Sequence, residues 1–305
     1  MEHYQRPKRL RRVQLAVPGS SEKMLAKAAA SGADHVFLDL EDAVAPSAKV
    51  GARDNIVNAL RTLDWGKKTR CVRINDLGTQ WAYEDIIHIV EQAGDHLDTI
   101  MVPKVMKAAD VYFVATLLRQ IEKKIGLKRP IGIEALIEEV EAMQEIDNIA
   151  RADPRLECII FGAGDYSASQ GIDIRSIGGA NGYPGDIWHY ARFKLVIAAR
   201  SAGIDAVDGP FANFKDPEAY REECKRAMIL GCVGKWAIHP AQIEVAIDAF
   251  TPKQESVNLA RKLEAAYAKA EAEGMGAVNI DGIMVDAASV RIVRNIIKKA
   301  DLIGM

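Results

Sequence analysis

From residue 13 to residue 240, short apolar runs alternate with longer amphipathic stretches. The apolar runs fall at 13–19, 35–42, 70–75, 99–104, 130–138, 158–164, 204–210 and 234–240. They read as buried parallel strands, covered on both faces. The intervening stretches carry helix signals. Residues 20–32 offer Ser20 or Ser21 as N-cap, Met24 and Leu25 for an apolar face, and Gly32 as a stop. Strands alternating with helices imply a parallel α/β sheet, and eight strands is the count that closes into a TIM (β/α)8 barrel. An open, doubly wound sheet is the alternative.

After residue 250 the pattern changes. Thr251-Pro252 reads as the N-cap and first turn of a helix that runs to Gly274. Two short apolar strands then flank Asp281-Gly282, a hairpin signal, and a last amphipathic helix runs from Asp286 to about Ala300. The division is a barrel over 1–250 and a helix–hairpin–helix tail over 251–305. A tail of this size is too small for a core of its own and is expected to act as a lid on the barrel or on a neighbouring subunit.

Polar residues gather at one end of the predicted strands. Asp39, Glu41, Asp42, Arg73, Asn75, Lys104, Glu138, Asp165, Asp208 and His239 all fall in the last few strand positions, while the opposite ends read as mostly apolar. The carboxyl rim is where α/β enzymes do chemistry. Glu138 and Asp165 are about one strand–helix repeat apart and would meet there. Two hard oxygen ligands with no His or Cys nearby suit Mg2+. The competing reading pairs Glu138 with a Lys or Arg and makes Asp165 the cap of a helix begun by Tyr166. Arg73 suits a carboxylate or a developing oxyanion, or an ion pair with Glu41 or Asp42. In LDLEDAV, Asp39 and Glu41 share one face and would steady Arg73 or metal-bound water. The near-dinucleotide run Gly162–Ser167 lacks its third glycine and sets an acid where a pyrophosphate would approach, so its small residues are read as letting a ligand come close. His239 is read as positioning substrate, and Asp286 by itself as an N-cap.

Composition narrows the classes. Forty basic against 42 acidic residues leave a net charge of -2, with no field favouring nucleic acid or an anionic membrane. The cluster Arg6, Lys8, Arg9, Arg11, Arg12 has no interleaved aromatics to support nucleic-acid binding. The apolar runs are far too short to span a membrane, and the basic N-terminus lacks an apolar signal core, so a cytoplasmic location is expected. The four cysteines are scattered without a CxxC pair, and those in strands read as small apolar fillers.

Taken together, VPGS (17–20), LDLEDAV (38–44), VRIN (72–75), PKV (103–105), the Glu of LIEE, FGAGDYSAS (161–169), VDGPF (207–211) and GKWAIHP (234–240) resemble the CoA-ester lyases of the citrate lyase β-subunit (HpcH/HpaI aldolase) family. LDWG (63–66), IGG (177–179), DIWHYA (186–191) and DGIMVDAASVR (281–291) are most similar to the malyl-CoA/β-methylmalyl-CoA lyases within it. The resemblance implies a TIM barrel with a C-terminal lid, Mg2+ or Mn2+, a CoA-thioester substrate, and a homotrimer or homohexamer in which one subunit's lid covers the next site. It implies Glu138 and Asp165 as metal ligands, Arg73 as a substrate-contacting arginine and Lys27 as a CoA-side lysine. It further implies Gly164, Ile238 and His239 as substrate contacts and Asp286 as the lid's catalytic acid/base. The expected reaction is reversible cleavage of (S)-malyl-CoA to acetyl-CoA and glyoxylate, with β-methylmalyl-CoA as a further substrate. Citramalyl-CoA cleavage, malyl-CoA thioester hydrolysis and a carrier-dependent citrate lyase subunit are the alternatives. Ala16 and the short 181–185 connection depart from several relatives and bear on acyl preference.

Overall fold

The structure, a computed structural model, describes residues 4–173, 177 and 185–305. Eight strands form a closed parallel barrel in chain order: β1 (Val13–Pro18), β2 (His35–Asp39), β3 (Thr69–Arg73), β4 (Thr99–Val102), β5 (Gly132–Ile137), β6 (Leu156–Phe161), β7 (Asp205–Asp208) and β8 (Gly234–Ala237). β8 pairs with β1 through Val13 beside Lys235 and Leu15 beside Ala237, which closes the ring. Helices follow the strands around the outside, and the expected TIM barrel is the fold.

Each strand divides its side chains between two layers. Outward residues such as Val36, Leu38, Ile100, Ile133 and Ile159 pack under the helices. Inward residues Phe37, Cys71, Met101, Leu136, Cys158, Ile160, Val207 and Trp236 fill the barrel. A strand buried on both faces is apolar at most successive positions, which is why the runs read as largely apolar. Cys71 and Cys158 sit among these fillers.

The strands are shorter than the apolar runs that predicted them, so several rim residues lie just beyond the sheet. Glu138 follows the last residue of β5, and Lys104 stands two places beyond β4. The reading of the opposite strand ends as apolar was wrong. Gln14, His35, Thr99 and Glu134 point inward there as a buried polar layer, and Arg11 reaches in from below. Arg11 donates to Glu134, Glu157 and Asp205, so it belongs to the barrel floor and not to a surface basic cluster.

The chain divides into two compact units: the segment to Pro7 with Arg11–Phe250, and Lys8–Leu10 with Thr251–Met305. In the second unit the long helix spans Gln254–Ala272 with Lys253 at its N-cap, two residues later than Thr251-Pro252 implied. β9 (Ala277–Ile280) and β10 (Ile283–Asp286) form an antiparallel hairpin. Its turn places Asp281 and Gly282 at φ 51° and 84°, as a type I′ turn requires. The closing helix, Ala287–Ile303, begins directly after Asp286. Leu263, Tyr267, Val285 and Val290 make a small core within this unit, which a tail of its size was not expected to have. Among the described residues, no helix is long and apolar enough to cross a membrane.

Candidate active site

A cavity of about 650 Å³ opens at the carboxyl end of the barrel. Asp39, Asp42, Arg73, Glu138, Gly164 and Asp165 line it, together with apolar Ala16, Ile177, Trp236 and Ile238. Glu138 is carried inward by the alternation of β5 and is only 2% exposed. Its Oε1 accepts the backbone N–H of Lys104 at 2.8 Å. The lack of a side chain at Gly162 makes this placement possible, since a Cβ there would stand 2.5 Å from Glu138 Cβ and Oε2. The small residue thus makes room for the acid itself.

Asp165 sits inside the first turn of the helix Ala163–Ser169, whose N-cap is Gly162. It is therefore not the cap of a helix begun by Tyr166. Among the described residues, Glu138 and Asp165 have no ion-pair partner. Burial, reinforced by the nearby Asp165 charge, pushes Glu138 up to about 8. Two converging carboxylates without a cation are the condition a divalent ion relieves, and an all-oxygen donor pair fits Mg2+ or Mn2+.

Arg73, the last residue of β3, is almost fully buried. Its Nε and Nη2 each donate to the Asp39 carboxylate at 2.7 Å, and its Nη1 lies 2.9 Å from Glu41. The Phe37 and Trp236 rings lie 5.7 and 5.6 Å from the guanidinium. Burial works against its charge, and Asp39 and Glu41 more than offset that, so it stays cationic at any relevant pH. The ion-pair reading of Arg73 and its placement on the cavity wall therefore both hold. The loop that supplies Glu41 is itself tied down by Lys49 Nζ, which donates to the carbonyls of Leu40 and Glu41.

Not every rim residue serves the cavity. Asp208 faces outward into a buried ion-pair group with Arg192 and Lys235. Asn75 donates to Asp85 beneath the outer helices. His239 caps the turn at Pro240, accepting from the Ala241 N–H at Nδ1, and stacks on Phe214 at 4.5 Å. It is exposed and does not line the cavity, although its neighbour Ile238 does. Lys27 is exposed on the helix Glu22–Ala29 and is likewise not part of the cavity wall. In the second unit, exposed Asp286 caps the last helix, accepting from the Ser289 N–H and hydroxyl at 2.8 Å. Those bonds hold its carboxyl below the usual range. Residues 178–179 and 181–184 of the resembling motifs lie outside the described residues.

His35, Cys71 and Glu134 form the only grouping of three metal-capable side chains among the described residues. It is not a metal site. Glu134 Oε1 already accepts from Arg11, His35 and Thr99, and Oε2 accepts from Gln14. A cation there would face the Arg11 guanidinium.

Residues 12–240 match the HpcH/HpaI aldolase/citrate lyase family. The chain belongs to that family. An L-malyl-CoA/beta-methylmalyl-CoA lyase of Cereibacter sphaeroides is 45% identical to it over 308 residues, covering 98% of this chain and 97% of the relative. The protein CitE of Mycobacterium tuberculosis, solved in complex with magnesium, acetoacetate and coenzyme A, is 30% identical with a TM-score of 0.76 and coverage of 95% and 97%. A citrate lyase structure from Burkholderia xenovorans shares the fold, with a TM-score of 0.85 at 20% identity over 96% and 92% of the two chains.

For this HpcH/HpaI chain, inspection of the sequence found the two acids, Arg73 and the Asp39 and Glu41 that hold it, but missed what holds Glu138. Lys104 was only one of ten rim polars, because a backbone N–H leaves no trace in residue type. Arg11, read with the basic N-terminus, carried no sign that it enters the barrel.

Proposed function

We propose that this chain is a carbon–carbon lyase that reversibly cleaves (S)-malyl-CoA to acetyl-CoA and glyoxylate, with β-methylmalyl-CoA as a second substrate. The observation that carries it is the pair Glu138 and Asp165, converging on one cavity without a cationic partner, opposite a pinned arginine. These two carboxylates would hold Mg2+ or Mn2+. When bound, the ion supplies Lewis-acid polarisation of the α-oxo acid and a template for its two oxygens.

Two of the five Arg73 N–H groups donate to Asp39, and Nη1 is ion-paired with Glu41. The guanidinium is thus fixed in place while still lining the cavity, and would stabilise the thioester enolate oxygen, where negative charge develops. Preorganisation by Asp39 means little reorientation is needed as that charge appears. Asp286, ionised at neutral pH, would remove a proton from the acetyl-CoA methyl group in condensation. In cleavage the Asp286 carboxylate would take the malyl hydroxyl proton. The C–C bond electrons would pass into the thioester enolate as the hydroxyl carbon becomes the glyoxylate aldehyde. The Asp286 carboxyl would then deliver that proton to the enolate carbon. The relatives support a CoA thioester as substrate, with Lys27, Gly164, Ile238 and His239 on its binding path. The second unit acts as a lid, reaching a neighbouring subunit's site in a cytoplasmic homotrimer or homohexamer.

The test is purified protein with acetyl-CoA, glyoxylate and Mg2+, followed by mass-resolved chromatography of CoA esters and free CoA. Malyl-CoA that forms and disappears on chelation supports the lyase. Citramalyl-CoA from pyruvate alone changes the oxo acid, and free CoA with malate but no glyoxylate from malyl-CoA identifies a thioesterase. Asp286→Asn should lower turnover by about 10²–10⁴-fold, the usual range for a general acid/base, with Mg2+ affinity unchanged. Full turnover in that variant removes Asp286 from the mechanism.

A further inference from the structure

Two non-glycine residues among those described have a left-handed backbone: Asp281 in the hairpin turn, and Lys104, at φ 47°, just beyond β4. A side chain is disfavoured in this region, so a residue held there needs compensating contacts. The hairpin accounts for Asp281. At Lys104 the compensation comes from both ends of the residue.

Its backbone N–H donates to Glu138 Oε1 at 2.8 Å. Its ammonium donates to Glu41 Oε1, and Glu41 Oε2 lies 2.9 Å from Arg73 Nη1. Arg73 in turn is clamped on Asp39. One residue therefore touches the proposed metal carboxylate and the ion-pair chain that holds the arginine. The Lys104 side chain is one-quarter exposed. Burial opposes its charge, but the Glu41 bond outweighs that and raises its pKa.

We infer that Lys104 is a positioning residue that couples the two halves of the site. Its left-handed backbone aims one N–H at Glu138 Oε1, which orients the carboxylate and leaves Oε2 over Gly162 for the cation. Its ammonium balances Glu41 and keeps that acid against Arg73, so the guanidinium cannot swing away. The inference rests on the lyase reading for what Glu138 and Arg73 do.

Substitutions can separate the two contributions. Lys104→Gly keeps the N–H and accepts positive φ freely, but removes the ammonium. Lys104→Val removes the ammonium and, being β-branched, drives the backbone out of the left-handed region. Lys104→Arg keeps the charge. Mn2+ affinity, measured by electron paramagnetic resonance without substrate, reads the backbone role. The kcat and KM for malyl-CoA read the ammonium role. The Gly variant should bind Mn2+ within about threefold of wild type, yet lose at least tenfold in kcat. The Val variant should lose at least tenfold in Mn2+ affinity as well. The Arg variant should recover most of kcat. Equal Mn2+ affinity in the Gly and Val variants, or wild-type kcat in the Gly variant, overturns the inference. Wild-type protein that binds Mn2+ but does not turn over malyl-CoA counts against the lyase reading alone. The Gly–Val contrast in Mn2+ affinity then still decides the role of Lys104.

Discussion

Glu134 and Glu138 stand four residues apart on the same side of one strand line, both inward and both buried, yet they are opposites. Glu134 receives bonds from Arg11, His35, Gln14 and Thr99. Burial alone would raise its pKa, but His35 and Arg11 overcome that and hold it far below the ordinary range. Glu138 receives one backbone N–H and faces Asp165, and its carboxyl is pushed up to about 8. Burial is common to both, so burial does not decide the outcome. Partners do. The floor acid completes an internal charge network, while the rim acid lacks one and is the proposed ligand of a cation.

The sharpest break of this comparison exchanges each acid for its amide. Glu138→Gln should fold and melt near the wild-type temperature below about pH 8, since with no ion bound it exchanges one neutral buried side chain for another. Its turnover should drop by at least about 10³-fold, in line with losing a preorganised electrostatic contributor. Substantial activity in Glu138→Gln would remove the acid from the metal site. Glu134→Gln should do the reverse, costing up to about 3–5 kcal/mol by removing the buried carboxylate that Arg11 and His35 share. Denaturant unfolding reads that loss, and a variant as stable as wild type would mean that Glu157 and Asp205 suffice for Arg11.

A gentler contrast comes from the ion itself. Mg2+ at a hundred times its dissociation constant should stabilise the native chain by about 2.7 kcal/mol through mass action. Calorimetry should show that gain in wild type and in a surface control, but not in Glu138→Gln. Stabilisation that survives in Glu138→Gln would place the cation elsewhere.

The smallest effect concerns pH. Glu138 faces Asp165, Glu41, Lys104 and Arg73, and with no ion bound it is protonated below about 8. A cation needs the ionised form, so binding releases a proton there. Apparent Mg2+ affinity should therefore rise by about tenfold per pH unit up to about 8 and level off above it. Isothermal titration in buffers of different ionisation enthalpy would count the proton. A flat profile from pH 6 to 8 contradicts the raised pKa.

The same comparison marks how far the sequence could be read. Eight apolar runs with helices between them specified an eight-stranded parallel sheet, because a strand enclosed on both faces is mostly apolar. Its closure through β8 and β1 was visible only in the structure. The hairpin was legible for a similarly local reason, since Asp281-Gly282 supplies the two positive φ angles of its turn. Asp165 and Glu138 were legible as acids at strand ends. Their floor counterpart was not. Glu134 lies within an apolar run, and its partners come from β1, β2, β4 and the segment before β1.

By itself, then, the sequence determined the periodicity, the strand count, the local turns and caps, and the acids and arginine at the rim. Those features depend on residue type and spacing within a few positions. Only the tertiary structure decided which charges are neutralised. It turned Asp208 outward to Arg192 and Lys235, brought Arg11 to Glu134, clamped Arg73 on Asp39, and set a backbone N–H of Lys104 on Glu138. Charge compensation falls off steeply with distance and direction, and only strand pairing and the enclosed barrel interior bring residues this far apart in the chain within hydrogen-bonding reach.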